Sequence, residues 1–212
     1  MIQIIDFLKN FDETLLPGWE AQRLMSPPYR GELDMNAILA KQPKQGAVAI
    51  ILYYKNDELH FILTQRQEYE GTHSGQVSFP GGKKDGNEHV LDTAIRETKE
   101  EIGVALSQEH FCCSLSPIYI PPSHFLVSPQ VFFMQQITEF TKDVREVKEI
   151  VEVPLIQLFL ADNKTNKDIA TSQGLIKNIP AYTLNEKIVW GATAVILSEL
   201  EQILNQMLDT IH

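Results

Sequence analysis

Cysteine is almost missing from this 212-residue chain: Cys112 and Cys113 stand side by side, and there is no third. Neighbours in a strand point to opposite faces, so no disulfide framework is expected, and the chain reads as one from a reducing compartment. Basic runs are missing too. The net charge is −10 with no Lys/Arg cluster, which argues against a nucleic-acid partner, since polyanions are repelled. No stretch reaches ~18 apolar residues, so no membrane span is expected. The opening Met1–Asp6 lacks a basic n-region, and the C-terminus carries no lipidation pattern. The expected setting is therefore cytoplasmic. His60, His89, His110, His124 and His212 lack zinc spacing, and Ser123 and Ser128 lack the Gly-x-Ser-x-Gly setting of a nucleophile.

What is present is enough hydrophobic residue, 43%, for one well-packed domain. Ile4, Ile5, Leu8 and Phe11 have helical spacing, which predicts a helix over residues 2–11. Pro17-Gly18 and Pro27-Pro28 make residues 12–45 an irregular lead-in with at most one more short helix. Strands over 47–54 and 59–64 form a hairpin around a polar turn. Residues 65–87 read as a long loop with an extended piece at 76–79. A helix is predicted from about 88 to 102, with Asn87 as N-cap and Gly103 just past its end. Strands near 111–119 and 129–137, helical structure over 143–160, an aperiodic polar stretch at 161–178, a strand at 179–184 and a helix over 192–208 complete the expectation. Strands interleaved with helices point to a layered α/β (α+β) sandwich.

On a helical wheel, Val90, Leu91, Ala94, Ile95, Thr98 and Ile102 make one apolar stripe, and Glu97, Glu100 and Glu101 crowd the adjacent edge. Like charges three and four residues apart repel, and carboxylates near a helix C-terminus meet the unfavourable end of its dipole. A bound Mg²⁺ or Mn²⁺ would remove both conflicts, because hard cations take oxygen ligands. The plain alternative is a solvated acidic face.

The lead-in to this helix decides between them. Gly82, five residues, Glu88, seven residues, then Arg96-Glu97-Thr98-Lys99-Glu100-Glu101-Ile102-Gly103-Val104 resembles the Nudix box. All its charged and glycine anchors stand at the right spacing, a coincidence of roughly 10⁻⁸ to 10⁻⁹ at typical residue usage. Thr98 replaces the family's aliphatic residue mid-stripe; its hydroxyl can bond back to a carbonyl one turn earlier, and the change reads as a packing variation. The resemblance implies a Nudix-type α/β/α sandwich with a mixed sheet, over residues 46–212 after the lead-in of 1–45. It implies metal-assisted hydrolysis of a diphosphate, with Glu97, Glu100 and Glu101 ligating the ion. Glu88 would assist through water or by pairing with Arg96, and Arg96 would orient Glu97, with Gly81 and Gly82 in the tight loop before the helix. A base outside the box is expected at Glu146, or else at Glu149.

The upstream run from Ile62 to Gly82 resembles the signature of the coenzyme A diphosphatase branch in Thr64, Arg66, Gly75 and Phe79-Pro80-Gly81-Gly82. Looser matches are Met25-Ser26-Pro27 with Arg30, Tyr119-Ile120-Pro121-Pro122-Ser123, and Trp190-Gly191-Ala192-Thr193-Ala194. Arg30, Arg66, His73, Gln76, Phe79, Gly81 and Gly82 are thus candidate substrate contacts. The implied substrate is coenzyme A or its acyl form, yielding 4′-phosphopantetheine and adenosine 3′,5′-bisphosphate. Gln67 and Gly71 depart from the signature, the latter removing an Arg, which keeps open another nucleoside diphosphate derivative such as ADP-ribose or a dinucleotide. A non-catalytic nucleotide-binding relative is a third reading, and a homodimer is a possible assembly.

Overall fold

A computed structural model describes residues 2–32, 34–68, 75–171 and 174–211. The helices are α1 Ile2–Lys9, α2 Trp19–Gln22, α3 Met35–Ala40, α4 Val90–Ile102 and α5 Gly191–Ile211. The strands are β1 Lys44–Lys55, β2 Glu58–Arg66, β3 Val77–Ser78, β4 Gly81–Lys83, β5 Phe111–Ser114, β6 Ile118–Ile120, β7 Phe125–Met134, β8 Val147–Pro154, β9 Lys164–Thr171, β10 Gly174–Leu184 and β11 Lys187–Trp190.

β1 is the axis of the fold. It pairs antiparallel with β2 through Leu52↔Phe61 and with β4 through Ala47↔Gly82, and parallel with β7 through Ile50↔Val131. β3 and β8 extend the sheet from β2, and β5 and β6 from β7, giving a mixed sheet. A smaller sheet, in the order β11-β10-β9, stands beside it. The apolar run of β1 is continuous because both its faces are covered. Ala47, Ala49, Ile51 and Tyr53 pack toward Ala94 and Ile102 of α4. Ile50 and Leu52 pack into the larger cluster with Leu8 of α1 and Val195, Leu197 and Leu200 of α5. The result is a sheet between helical layers, the mixed α/β architecture read from the sequence.

Several local expectations are corrected. The lead-in holds two short α-helices, α2 and α3, rather than one at most. α4 starts at Val90 with His89, not Asn87, in the extended N-cap conformation and without a side-chain cap bond, while Gly103 does close it in the left-handed region (φ 75°). Residues 147–154 are strand, not helix: the β-branched Val147, Ile150, Val151 and Val153 suit a pleated surface, and β2 offers an open edge through Leu63↔Val151. The aperiodic stretch after residue 161 forms β9 and the start of β10, hairpin strands with one exposed face and thus no apolar run to read. Cys112 and Cys113 do not face apart: a bulge between Phe111 and Cys113 turns both into the α5-side core as free thiols.

Candidate active site

The loop before α4 is shaped by two glycines. A Cβ on Gly81 (φ +151°) would lie 2.3 Å from the Ala47 carbonyl, so nothing larger can pair with β1 there. A Cβ on Gly82 would lie 2.4 Å from Glu97 Oε2, so the space a side chain would fill holds a carboxylate instead.

Glu88 opens the helix. Its Oε1 accepts from the Asp85 N–H (2.7 Å), the Thr93 hydroxyl (2.9 Å) and Arg96 Nη2 (2.9 Å), and Arg96 Nε donates to Oε2 at 3.3 Å. The Arg96 guanidinium, helped by the Asp85 N–H and the Thr93 hydroxyl, pulls the Glu88 carboxyl down to about 2. Arg96 also donates from Nη2 to the Lys83 carbonyl (3.0 Å) and from Nη1 to Glu97 (2.7 Å) and Glu100 (3.2 Å). One planar cation thus ties the loop, the helix start and two acids of the acidic edge together.

Glu101 points elsewhere. Only 4% exposed, it accepts from the Gly81 N–H at 3.3 Å, and its Oε1 lies 3.9 Å from Arg66 Nη1. Burial pushes its carboxyl up to about 8, against the pull of Arg66 and the Gly81 N–H, and repulsion from Glu146 and Glu97 adds to the rise. Glu97 is also raised, first by burial and then by Glu100 and Glu146, with Arg96 opposing. Arg66 comes from the end of β2, and its buried Nε has no hydrogen-bond partner. Glu146 reaches the site because its loop is tied at both ends. The Gln67 N–H donates to the Glu146 carbonyl (2.9 Å), Gln67 Nε2 to the Val144 carbonyl (2.7 Å), and the Asp143 N–H to the Glu101 carbonyl (2.9 Å). Gln67, a departure from the signature, therefore anchors the loop that carries Glu146.

Glu97, Glu101, Glu146, Arg66, Arg96, Gly81 and Gly82 are brought together, with Glu100 on the exposed rim. As arranged, no group of three His, Cys, Asp or Glu side chains among the described residues converges to cage an ion, because Arg96 lies across Glu97 and Glu100. The donor set nonetheless fits a hard divalent cation: carboxylate oxygens, two of them pushed toward protonation first by burial and then by their acidic neighbours. Glu149 is tied to Lys187 Nζ at 2.6 Å, which removes it as a free base. Phe79 is not a ligand platform: it is 2% exposed and packs in the α5-side core. Gln76 serves through its carbonyl, which accepts from the Arg66 N–H at 2.9 Å. Arg30 is not at this site; it bonds the Tyr119 carbonyl beside α5. His73 and Gly71 lie outside the described residues. Thr98 does not bond back to the helix: its buried hydroxyl has no partner. Thr93, fully buried on Glu88, carries no signal in sequence that separates it from a core threonine.

The family profile described as NUDIX domain matches residues 43–172. The chain belongs to the Nudix family. It is a Nudix hydrolase by its relatives as well. It is 31% identical over 185 residues to human "Mitochondrial coenzyme A diphosphatase NUDT8", covering 82% of this chain and 78% of that protein. It is 30% identical over 160 residues to "Uncharacterized Nudix hydrolase NudL" of Yersinia enterocolitica, covering 75% of this chain and 81% of the relative. The solved structure of the Nudix hydrolase RenU from M. smegmatis shares the fold, with a TM-score of 0.53 at 14% identity over 77% of this chain and 87% of that one. Among the described residues of this Nudix protein, no helix is long and apolar enough to cross a membrane.

Proposed function

We propose that this Nudix hydrolase is a divalent-metal-dependent diphosphatase whose substrate is coenzyme A or an acyl-coenzyme A, split into 4′-phosphopantetheine and adenosine 3′,5′-bisphosphate. The observation that carries the chemistry is the buried Glu101 carboxyl, hemmed in by Glu97 and Glu146 and answered by one guanidinium at 3.9 Å. Such a group is costly in the fold unless a cation or a proton joins it. Glu97, Glu100 and Glu101 would hold Mg²⁺ or Mn²⁺, which when bound neutralises phosphate charge and acidifies water. Arg96 positions Glu97, and Glu88 keeps Arg96 charged and in place. Arg66 binds a diphosphate oxygen through its guanidinium, which reaches the acidic edge with Nη1 3.9 Å from Glu101. Gly81 and Gly82 let the loop lie close against β1 and leave room for the Glu97 carboxylate. Glu146 takes the proton of the attacking water as its oxygen bonds to one phosphorus and the bridging P–O bond breaks toward the other phosphate.

The choice of coenzyme A rests on the signature residues around Arg66 and on the likeness to the human coenzyme A diphosphatase. ADP-ribose or a dinucleotide is the second reading, favoured by Gln67 and Gly71. Purified protein with Mg²⁺ or Mn²⁺, with and without EDTA, is incubated with these diphosphates and the products weighed by mass spectrometry. Metal-dependent release of 4′-phosphopantetheine is expected; a much higher kcat/KM on ADP-ribose would move the assignment to the second reading.

A further inference from the structure

A cavity of about 290 Å³ lies between the N-terminal segment, the start of β6 and α5. Its neighbours Ile118 and Val195 belong to the α5-side core, whereas α4 packs on the other face of the main sheet. It is therefore separate from the acidic site. The volume lies just below the ~300–1,000 Å³ of drug-sized ligand pockets, which suits a mononucleotide rather than a whole dinucleotide.

The walls are held by a buried support. Glu199 of α5 is fully buried, and its carboxylate accepts from the Gly18 N–H (3.1 Å), Gln22 Nε2 (3.1 Å) and the Ser116 N–H (3.2 Å). Gly18, Gln22 and Ser116 all line the cavity and come from two separate segments. A carboxylate buried this way is tolerated because every donor is in place, and it fixes the shape of the space above it.

Arg30 faces into the same space. Its guanidinium donates to the Tyr119 carbonyl, and among the described residues it forms no ion pair, in a chain of net charge −10. Burial lowers its pKa, so the charge it carries is short of compensation. Trp19, Met35 and Tyr119 supply apolar and aromatic wall beside it, and the exposed Glu32 lines the same space without an ion pair to Arg30.

We propose that this cavity is a second ligand site, taking a phosphomonoester joined through a sugar to a flat ring, the chemistry of a mononucleotide. Arg30 is its anion contact, and Trp19 and Tyr119 are the walls for the ring. The proposal does not depend on the diphosphatase reading. The test is titration calorimetry of the full chain in EDTA with adenosine 5′-monophosphate, where the acidic site has no cation with which to hold an anion. One binding event per chain is expected. Arg30→Gln should weaken it at least tenfold, Glu101→Gln should leave it unchanged, and inorganic phosphate should bind at least tenfold more weakly. Glu32→Gln, a change at an exposed residue, should tighten it by removing a negative charge from the cavity lining. Binding abolished by Glu101→Gln and kept by Arg30→Gln would place the ligand in the acidic site and overturn the proposal. So would phosphate binding as tightly as the nucleotide, no tightening by Glu32→Gln, or no binding at all.

Discussion

Replacing Glu101 with Gln should separate catalysis from stability. The native carboxyl is 4% exposed and pushed up to about 8 by burial, whereas in the unfolded chain it titrates near 4.5. Below 4.5 both states hold the proton and the residue costs nothing. As pH rises, the unfolded chain releases the proton while the folded one keeps it, so stability falls until both have lost it, near pH 8. The slope is about 1.4 kcal/mol per pH unit for a complete difference in protonation. Between pH 5.5 and 7.5 the metal-free native protein should therefore lose roughly 2–3 kcal/mol that the Gln variant keeps. The shift at Glu97 runs in the same direction, and the depressed Glu88 acts only below 4.5, outside this window. Denaturant melts of both proteins in EDTA across this range measure the difference, and turnover of the variant with Mn²⁺ should drop at least ~10²-fold. Added Mn²⁺ should stabilise the native protein at pH 8 and not the variant. Parallel pH slopes for the two proteins, or undiminished metal-dependent turnover in the variant, would refute the reading of Glu101 as an uncompensated buried ligand.

Three further outcomes are expected. Thr98→Val keeps the shape but removes a buried hydroxyl that has no partner, so it should raise stability by about 1 kcal/mol, seen as a Tm higher by roughly 2–4 °C with turnover retained. Gly82→Ala sets a methyl group where Glu97 now lies, 2.4 Å from its Oε2, so kcat should fall at least ~10-fold, with circular dichroism unchanged. Glu146→Gln should lower kcat by about 10²–10⁴ with little change in KM, whereas Glu149→Gln, which only releases Lys187, should stay within a few-fold in steady-state assays.

The reach of the sequence differs from element to element. The hairpin of β1 and β2 and the helix α4 were legible because apolar spacing and turn residues agree along them. The strand β8 was missed, since its backbone finds hydrogen-bond partners only on the edge of β2, more than eighty residues away in the chain. The strands β9 and β11 were missed because partly exposed hairpin strands need no continuous apolar run. Phe79, a signature residue, reads as a contact in one dimension and proves to be core in three.

For the site, the spacing of Gly82, Glu88, Arg96, Glu97, Glu100 and Glu101 was enough by itself to name the family and the acidic edge, because helical geometry sets which side chains share a face. How those acids divide was decided only by tertiary packing. Glu101 turns inward under Gly81 and Arg66, Glu97 fills the gap left by Gly82, and Glu100 stays on the rim, because β4 packs on one side of α4 and Arg66 reaches it from the end of β2. The approach of Glu146, the loss of Glu149 to Lys187 and the withdrawal of Arg30 into its own cavity depend on contacts between distant segments, which no local pattern encodes.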